Sequence, residues 1–437
     1  MKTAREDALD IFLHSLRASR VEPAMRRRLR FGDGAMELDG HSYALGEYNR
    51  RMLVAVGKAA HTLASTFLAQ AGDEAARFEG IVVGTAATQA LPQSFRVYHG
   101  GHPSPNEASL AAAADILHTL ESLTARDLVV FLISGGGSAM LEQFLQPGLA
   151  LATIAATHKA LVESGAPIAA MNAVRKHLSS VKGGRLATAA APAEQLTIFV
   201  SDVPAGELDA LSSGPTLPDR STTEDVYRIA QEYGLDSRFP GEIAEMLTAR
   251  TLIETPQPGD AIFARSRWSV LLDSASLEEA AALRAAELGW FVEIDNRCDD
   301  WSAEQAAAYL LARLEELRRT HERVCLLSAG EITVRVPPDA VGKGGRNQHF
   351  ALLCSEQIAG QAITVLSGGS DGVDGNSPAA GAVVDGTTTE RATQAHYPVP
   401  QALDAFDAYS LLTLLGDTIT TGPTGNNLRD LRILLAP

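Results

Sequence analysis

The sequence predicts an α/β protein of two domains, a larger N-terminal one built on a largely parallel sheet and a smaller α/β domain after it. Three observations predict this. Seven short runs rich in Leu and β-branched residues recur along the chain, most of them close on small or glycine residues, and segments with helical spacing separate them. Strands that are nearly all apolar belong in sheets covered on both faces, and helical crossovers make such a sheet largely parallel. The length, 437 residues, fits two domains at roughly 100–200 residues apiece.

The elements follow in chain order. Residues 1–20, MKTAREDALDIFLHSLRASR, alternate charged and apolar positions at helical spacing and lack the apolar core of a secretory signal, so they read as an amphipathic helix of an unprocessed, soluble chain. Strands are expected at 52–57 (MLVAVG), 80–85 (GIVVGT), 128–137 (LVVFLISGGG), 196–202 (LTIFVSD), 268–274 (WSVLLDS), 324–330 (VCLLSAG) and 363–369 (ITVLSGG). Between Arg220 and Arg265 no strong apolar run appears, and TPQPGD at 255–260 is a turn-rich break. The boundary is expected there, giving domains 1–245 and 262–437. No apolar run of about 18 residues could span a bilayer.

Charge and cysteine content exclude several function classes. Lys+Arg number 37 against 53 Asp+Glu, a formal charge of −16, which argues against a non-specific binder of nucleic acid or anionic membrane. The three cysteines, Cys298, Cys325 and Cys354, form no CxxC pair and imply neither a disulfide framework nor a cysteine zinc site. That usage fits a reducing cytoplasm.

Several strand ends carry residues suited to anion chemistry. Ser134-Gly135-Gly136-Gly137-Ser138 precedes the helical AMLEQF, and consecutive glycines let backbone N–H groups approach a phosphate at a helix N-terminus; the same run also serves as a tight turn. Lys58 closes the first strong strand at a helix start, where a cation is disfavoured unless it meets an anion. Arg175, Lys176, Lys182 and Arg185, with Gly183 and Gly184 among them, form the most basic stretch and could screen a polyphosphate. Asp202, at another strand end, could take a proton from a hydroxyl, hold Mg²⁺, or cap a turn; Ser212-Ser213-Gly214 follows it. Arg346 follows paired glycines, a setting for a carboxylate or phosphate fork. Asp371 and Asp374 lie three apart in a glycine-rich loop that suits Mg²⁺ but is not an EF-hand. With no nucleophile elbow, HExxH or CxxC, the inventory fits phosphoryl transfer, which is mostly positioning and charge neutralisation.

These motifs in this order resemble the glycerate 2-kinase family, which joins an N-terminal, Rossmann-like glycerate kinase domain to a C-terminal MOFRL domain. The resemblance is carried by VGKAA (56–60), GGHPSPNEAS (100–109), LISGGGSAML (132–141), MNAVRKHLSSVKGGRLA (171–187), SDVPAGELDALSSGPTLPD (201–219), GGRNQHFAL (344–352), SGGSDGVDGNSPAAGAVVDG (367–386) and TGPTGNNLRDLRILL (421–435). It implies ATP- and Mg²⁺-dependent phosphorylation of D-glycerate at its 2-hydroxyl, in a cleft between two α/β domains. The family's functional lysine falls on Lys58 and its functional arginine on Arg346, and Asp202 matches an aspartate of the family pattern by motif position. On that reading Ser134, Gly135, Gly136, Gly137, Ser138, Lys182, Gly183 and Gly184 bind ATP, and Asp371 and Asp374 bind Mg²⁺. The alternative is an NAD(P)H-dependent hydroxypyruvate reductase, a label members of the family have carried. It lacks support from a dinucleotide fingerprint, because Met140 stands where the third glycine belongs.

Overall fold

The structure, a computed structural model, describes residues 3–85 and 90–437, and the counts below are of these. Met1 and Lys2 of the expected first helix lie outside them. The chain divides into two compact units: Ala24–Leu271, and the residues up to Pro23 together with Leu272–Pro437.

In the unit Ala24–Leu271 a six-stranded sheet runs in the order Phe95–His99, Phe78–Gly84, Arg51–Val56, Leu128–Ser134, Glu194–Val200, Ser266–Leu272. Its first four neighbouring pairs are parallel. Every residue of Arg51–Val56 and Leu128–Ser134 is buried, which is why these strands appear in the sequence as unbroken apolar runs. Val54, Ile81, Phe131 and Phe199 meet Ile116 and Leu120 of the helix Glu107–Glu121 in one core. A second core joins Ile154, Leu161, Val174, Val226 and Ile243, which lie on four helices between residues 151 and 248. A small antiparallel sheet, Leu29–Gly32, Ala35–Leu38 and His41–Ala44, precedes them.

The sequence placed the domain boundary between 245 and 262, whereas the strand Ser266–Leu272 completes this first sheet. The turn-rich 255–260 break is packed rather than a free linker: Thr255 Oγ1 donates to Asp219 at 3.0 Å, and Asp219 N donates to Pro256 O at 2.9 Å.

The other unit holds a mixed sheet ordered Phe291–Ile294, Val324–Ala329, Asp430–Ala436, Thr364–Gly369, Gly381–Asp385, Thr418–Ile419. One neighbouring pair is parallel and four are antiparallel, so this sheet is mixed and mostly antiparallel. The helix Ala4–Ala18, opened by a Thr3/Glu6 capping box, belongs here. Trp290 Nε1 donates to its Asp7 at 3.0 Å, Arg284 pairs with its Asp10 at 2.7 Å, and Phe12 lies against Gly368, where a Cβ would sit 2.7 Å from the ring.

Candidate active site

In an open parallel sheet ligands gather beyond the carboxyl ends of the strands, at the point where strand order reverses. Here the chain runs outward from Arg51–Val56 through Phe78–Gly84 to Phe95–His99, then crosses back to place Leu128–Ser134 on the other side of Arg51–Val56. Gly57-Lys58 and Ser134-Gly135 therefore flank the reversal. Gly57, at φ 117°, carries the chain within reach of the neighbouring strand end: a Cβ there would sit 2.4 Å from Ser134 O. Lys58 N donates to Gly135 O at 2.9 Å and Ala59 N to Ser134 Oγ at 3.0 Å. The Lys58 side chain is exposed and runs past Gly136, where an added Cβ would lie 3.1 Å from its Cγ. His102 shares that contact, and its imidazole is held below its usual pKa by burial and then by the charge on Lys58.

Asp202 lies directly over the glycine run, since a Cβ on Gly135 would fall 1.9 Å from its Oδ2. Lys58, Ser134 to Ser138 and Asp202 are thus together at one sheet edge. The expected helix after the glycines is a single turn, Gly137–Met140. A cradle here relies on individual groups rather than on a helix dipole, which needs several aligned turns.

The glycine run is fixed by residues that the sequence reading singled out without giving them a role. Ser212 Oγ accepts from Gly137 N at 3.1 Å and donates to Ser134 O at 2.8 Å, and Ser213 Oγ lies 2.9 Å from Ser138 Oγ. Ser212 (φ 50°), Ser213 (φ 60°) and Gly214 (φ 60°) are three successive left-handed residues. For the two serines this conformation is strained, and such strain collects at functional sites.

Lys182, Gly183 and Gly184, expected to bind the nucleotide, instead support this loop. Lys182 is 1% exposed; its ammonium donates to Glu142 at 2.6 Å and to Leu141 O at 3.2 Å. Glu142, 0% exposed, also accepts from Ser179 Oγ and contacts His158. Burial alone would raise the Glu142 carboxyl, but Lys182 and His158 hold it down at about 2. Gly183 N and Gly184 N donate to Ser213 O and Gly214 O, so these amides hold the strained turn and do not face an anion. Sequence spacing cannot show this, because the acid that neutralises Lys182 lies forty positions away in the chain.

In the other unit, Glu331, Asp371 and the 427–430 segment meet at one sheet edge because Asp430–Ala436 runs antiparallel to both of its neighbours. Arg346 opens the helix Arg346–Gln357; its Nε lies 2.6 Å from Asp430 and its Nη2 2.7 Å from Glu331. Burial works against its charge, yet these carboxylates more than offset that and hold it protonated. Arg346, Asp371 and Asp430 line a pocket of about 680 Å³ within this unit. The sequence reading named neither Asp430 nor Glu331.

Asp374 does not fit a metal ligand. It is 2% exposed; Oδ1 accepts from Asn347 N at 3.1 Å and Oδ2 from Gln348 N at 2.9 Å, with the amide side chains of both residues completing the set. Both oxygens cap the helix Arg346–Gln357, and burial raises the carboxyl's pKa. Asp371 is different: it accepts one backbone N–H, from Val373 at 3.0 Å, and borders the pocket. No cluster of three or more metal-ligating side chains occurs among the described residues. One carboxylate with substrate phosphates is a usual Mg²⁺ arrangement, so Asp371 fits that ion.

Family models and known proteins match most of this chain. Residues 7–248 match the family described as a domain of unknown function, DUF4147, and residues 324–430 match the MOFRL family. The D-glycerate 2-kinase of Thermotoga maritima is 35% identical over 88% of this chain and 90% of its own. The glycerate 2-kinase of Pyrococcus horikoshii is 29% identical over 99% and 97%, and a putative hydroxypyruvate reductase of Agrobacterium vitis 36% over 88% and 87%. Among solved structures, the Thermotoga maritima glycerate kinase superposes with a TM-score of 0.85 at 31% identity, covering 99% of both chains.

Proposed function

The chain belongs to the family that joins a DUF4147 domain to a MOFRL domain, that of the glycerate 2-kinases, and from that membership we propose that it transfers a phosphoryl group from ATP to the 2-hydroxyl of D-glycerate, giving 2-phosphoglycerate and ADP. The observation that carries the reading is the meeting of Lys58, the glycine run and Asp202 at the strand-order reversal. Phosphoryl transfer requires in-line positioning and neutralisation of charge on the moving group. Lys58 supplies a mobile ammonium beside Gly136 for that charge. The Gly135–Gly137 run with Ser138, held still by Ser212 and Ser213, borders the nucleotide phosphates. Asp202 orients the 2-hydroxyl or takes its proton.

Arg346 supplies a guanidinium for the substrate carboxylate or phosphoryl oxygens. Asp430 and Glu331 engage its Nε and Nη2, which among the described residues leaves Nη1 as the unengaged donor group. Asp371 would hold Mg²⁺, whose chemistry is to neutralise phosphate oxygens. A reducing cytoplasm suits the three free, buried cysteines.

Phosphorus NMR of the product formed from D-glycerate and ATP tests the assignment, since it separates 2-phosphoglycerate from 3-phosphoglycerate. Loss of NADH on addition of hydroxypyruvate, without ADP release from glycerate and ATP, would replace the kinase by a reductase.

A further inference from the structure

Four cations lie between residues 175 and 185, and three are engaged. Lys176 pairs with Asp219 at 3.1 Å and Asp209 at 2.9 Å, Lys182 pairs with Glu142, and Arg185 donates to the carbonyls of Ile253 and Glu254. Arg175 and Arg185 both lack a carboxylate within ion-pair distance among the described residues, but Arg185 has the two carbonyls for its guanidinium and Arg175 has none. Its one side-chain hydrogen bond is a long contact from Nη1 to Asn172 Oδ1 at 3.4 Å, and its Nε is buried with no partner. Burial lowers its pKa, with partial relief from the nearby charge of Glu142. A guanidinium held half-buried without an anion is costly unless an anion arrives with the substrate.

Arg175 borders a pocket of about 630 Å³ that lies wholly within the unit Ala24–Leu271 and opens beside Gly136 and Ser138. One wall is a face of the helix Leu151–Glu163 bearing Ala155, Ala156 and Val162; Val162 is 59% exposed, and Ala156 is exposed too. Pro103 and Pro105 also line it. A three-carbon acid would fill little of this volume, whereas the size and largely apolar lining suit a nucleoside. Flat rings pack well on such an apolar surface, which His158, Lys159 and Glu163 of the same helix border.

We infer that this pocket is the nucleotide's own site: the purine and ribose lie on the Ala155–Val162 face of the helix, and Arg175 grips the phosphates where they reach Gly136 and Ser138. The inference rests on the kinase reading for its choice of ligand, but its test does not need turnover. A bidentate guanidinium contact to phosphate is among the stronger hydrogen-bonded pairs, and a tenfold change in affinity corresponds to about 1.4 kcal/mol.

The probe is ADP, titrated calorimetrically into the full chain. Arg175→Ala should weaken ADP binding roughly ten- to a hundredfold, with Arg175→Lys between it and wild type. Ala156→Trp fills the pocket from an exposed position that tolerates a large side chain, and should weaken ADP at least tenfold with an unchanged melting temperature. In the kinase assay the KM for ATP should rise in Arg175→Ala and in Ala156→Trp while that for D-glycerate stays within about twofold. Unchanged ADP affinity in Ala156→Trp, or a rise in the KM for glycerate in place of ATP, would overturn the proposal. If wild type bound ADP, and lost it on Ala156→Trp, yet made no phosphoglycerate, the pocket assignment would stand and the glycerate kinase reading would fall.

Discussion

Lys58 owes its position to Gly57: only a residue at ease at positive φ lets the strand turn within reach of Ser134 and leave the next side chain projecting over Gly136. The lysine is exposed, and no ion pair holds it among the described residues, so it adds little to stability and its proposed role is in the chemistry. Lys58→Ala should lower kcat on the order of 10²–10³-fold, as loss of one charge-stabilising group commonly does, with a melting temperature equal to wild type by calorimetry. Ser212 is the opposite case, strained in backbone and fully bonded in side chain. Ser212→Ala keeps the strain and leaves the buried Gly137 N–H without an acceptor, which costs about 1–3 kcal/mol. Ser212→Gly removes the same hydroxyl but relieves the left-handed backbone, so its urea midpoint should lie between the two.

Most strands that can be read from the sequence are largely buried, such as Leu128–Ser134, because their apolar runs need no periodicity to be seen, although the edge strand Ser266–Leu272 is legible as well. Phe95–His99 and Phe291–Ile294, edge strands with mostly partly exposed residues, escape notice, and so do the buried strands Gly381–Asp385 and Asp430–Ala436, which pair antiparallel with their neighbours rather than alternating with helices. Site residues divide in the same way. Lys58, Asp202 and the glycine run sit at strand ends, and strand ends are legible. Asp374 has the same composition and spacing as a metal ligand, yet it caps the helix Arg346–Gln357, because the loop 367–375 returns to that helix's first turn. Asp374→Ala should therefore lower stability by about 1–3 kcal/mol through uncapping and unsatisfied amides. Denaturant midpoints with and without Mg²⁺ check this, and the loss should be equal in both. Asp371→Ala should leave the midpoint alone and raise the Mg²⁺ concentration needed for half-maximal activity.

Across the whole molecule the charge of −16 hides how the cations are distributed, since two of the four in the basic stretch face internal acids. Acid stability follows from the same pairing. Glu142 drops from its ordinary 4.5 to about 2 on folding, so it binds fewer protons folded than unfolded in that range. Its contribution, roughly 3 kcal/mol, is present in full above pH 4.5 and disappears as pH falls through 2. Glu142→Gln strands Lys182 as a buried unpaired charge and should destabilise strongly at neutral pH. The double variant Glu142→Gln with Lys182→Met removes both charges and should recover much of that loss. Urea unfolding from pH 5 to 2 should show a shallower decline in the double variant than in wild type. The helix Ala4–Ala18 has a further consequence, for synthesis. It leaves the ribosome before its partner, the helix Ser274–Glu287, which follows only after all of Ala24–Leu271 has been made. At ribosomal speeds of about 5–20 residues per second, that leaves Ile11 and Phe12 uncovered for roughly tens of seconds in every nascent chain. During that interval the intervening unit can fold by itself while the first helix waits, a natural substrate for chaperones and the point at which a stalled chain would begin to aggregate.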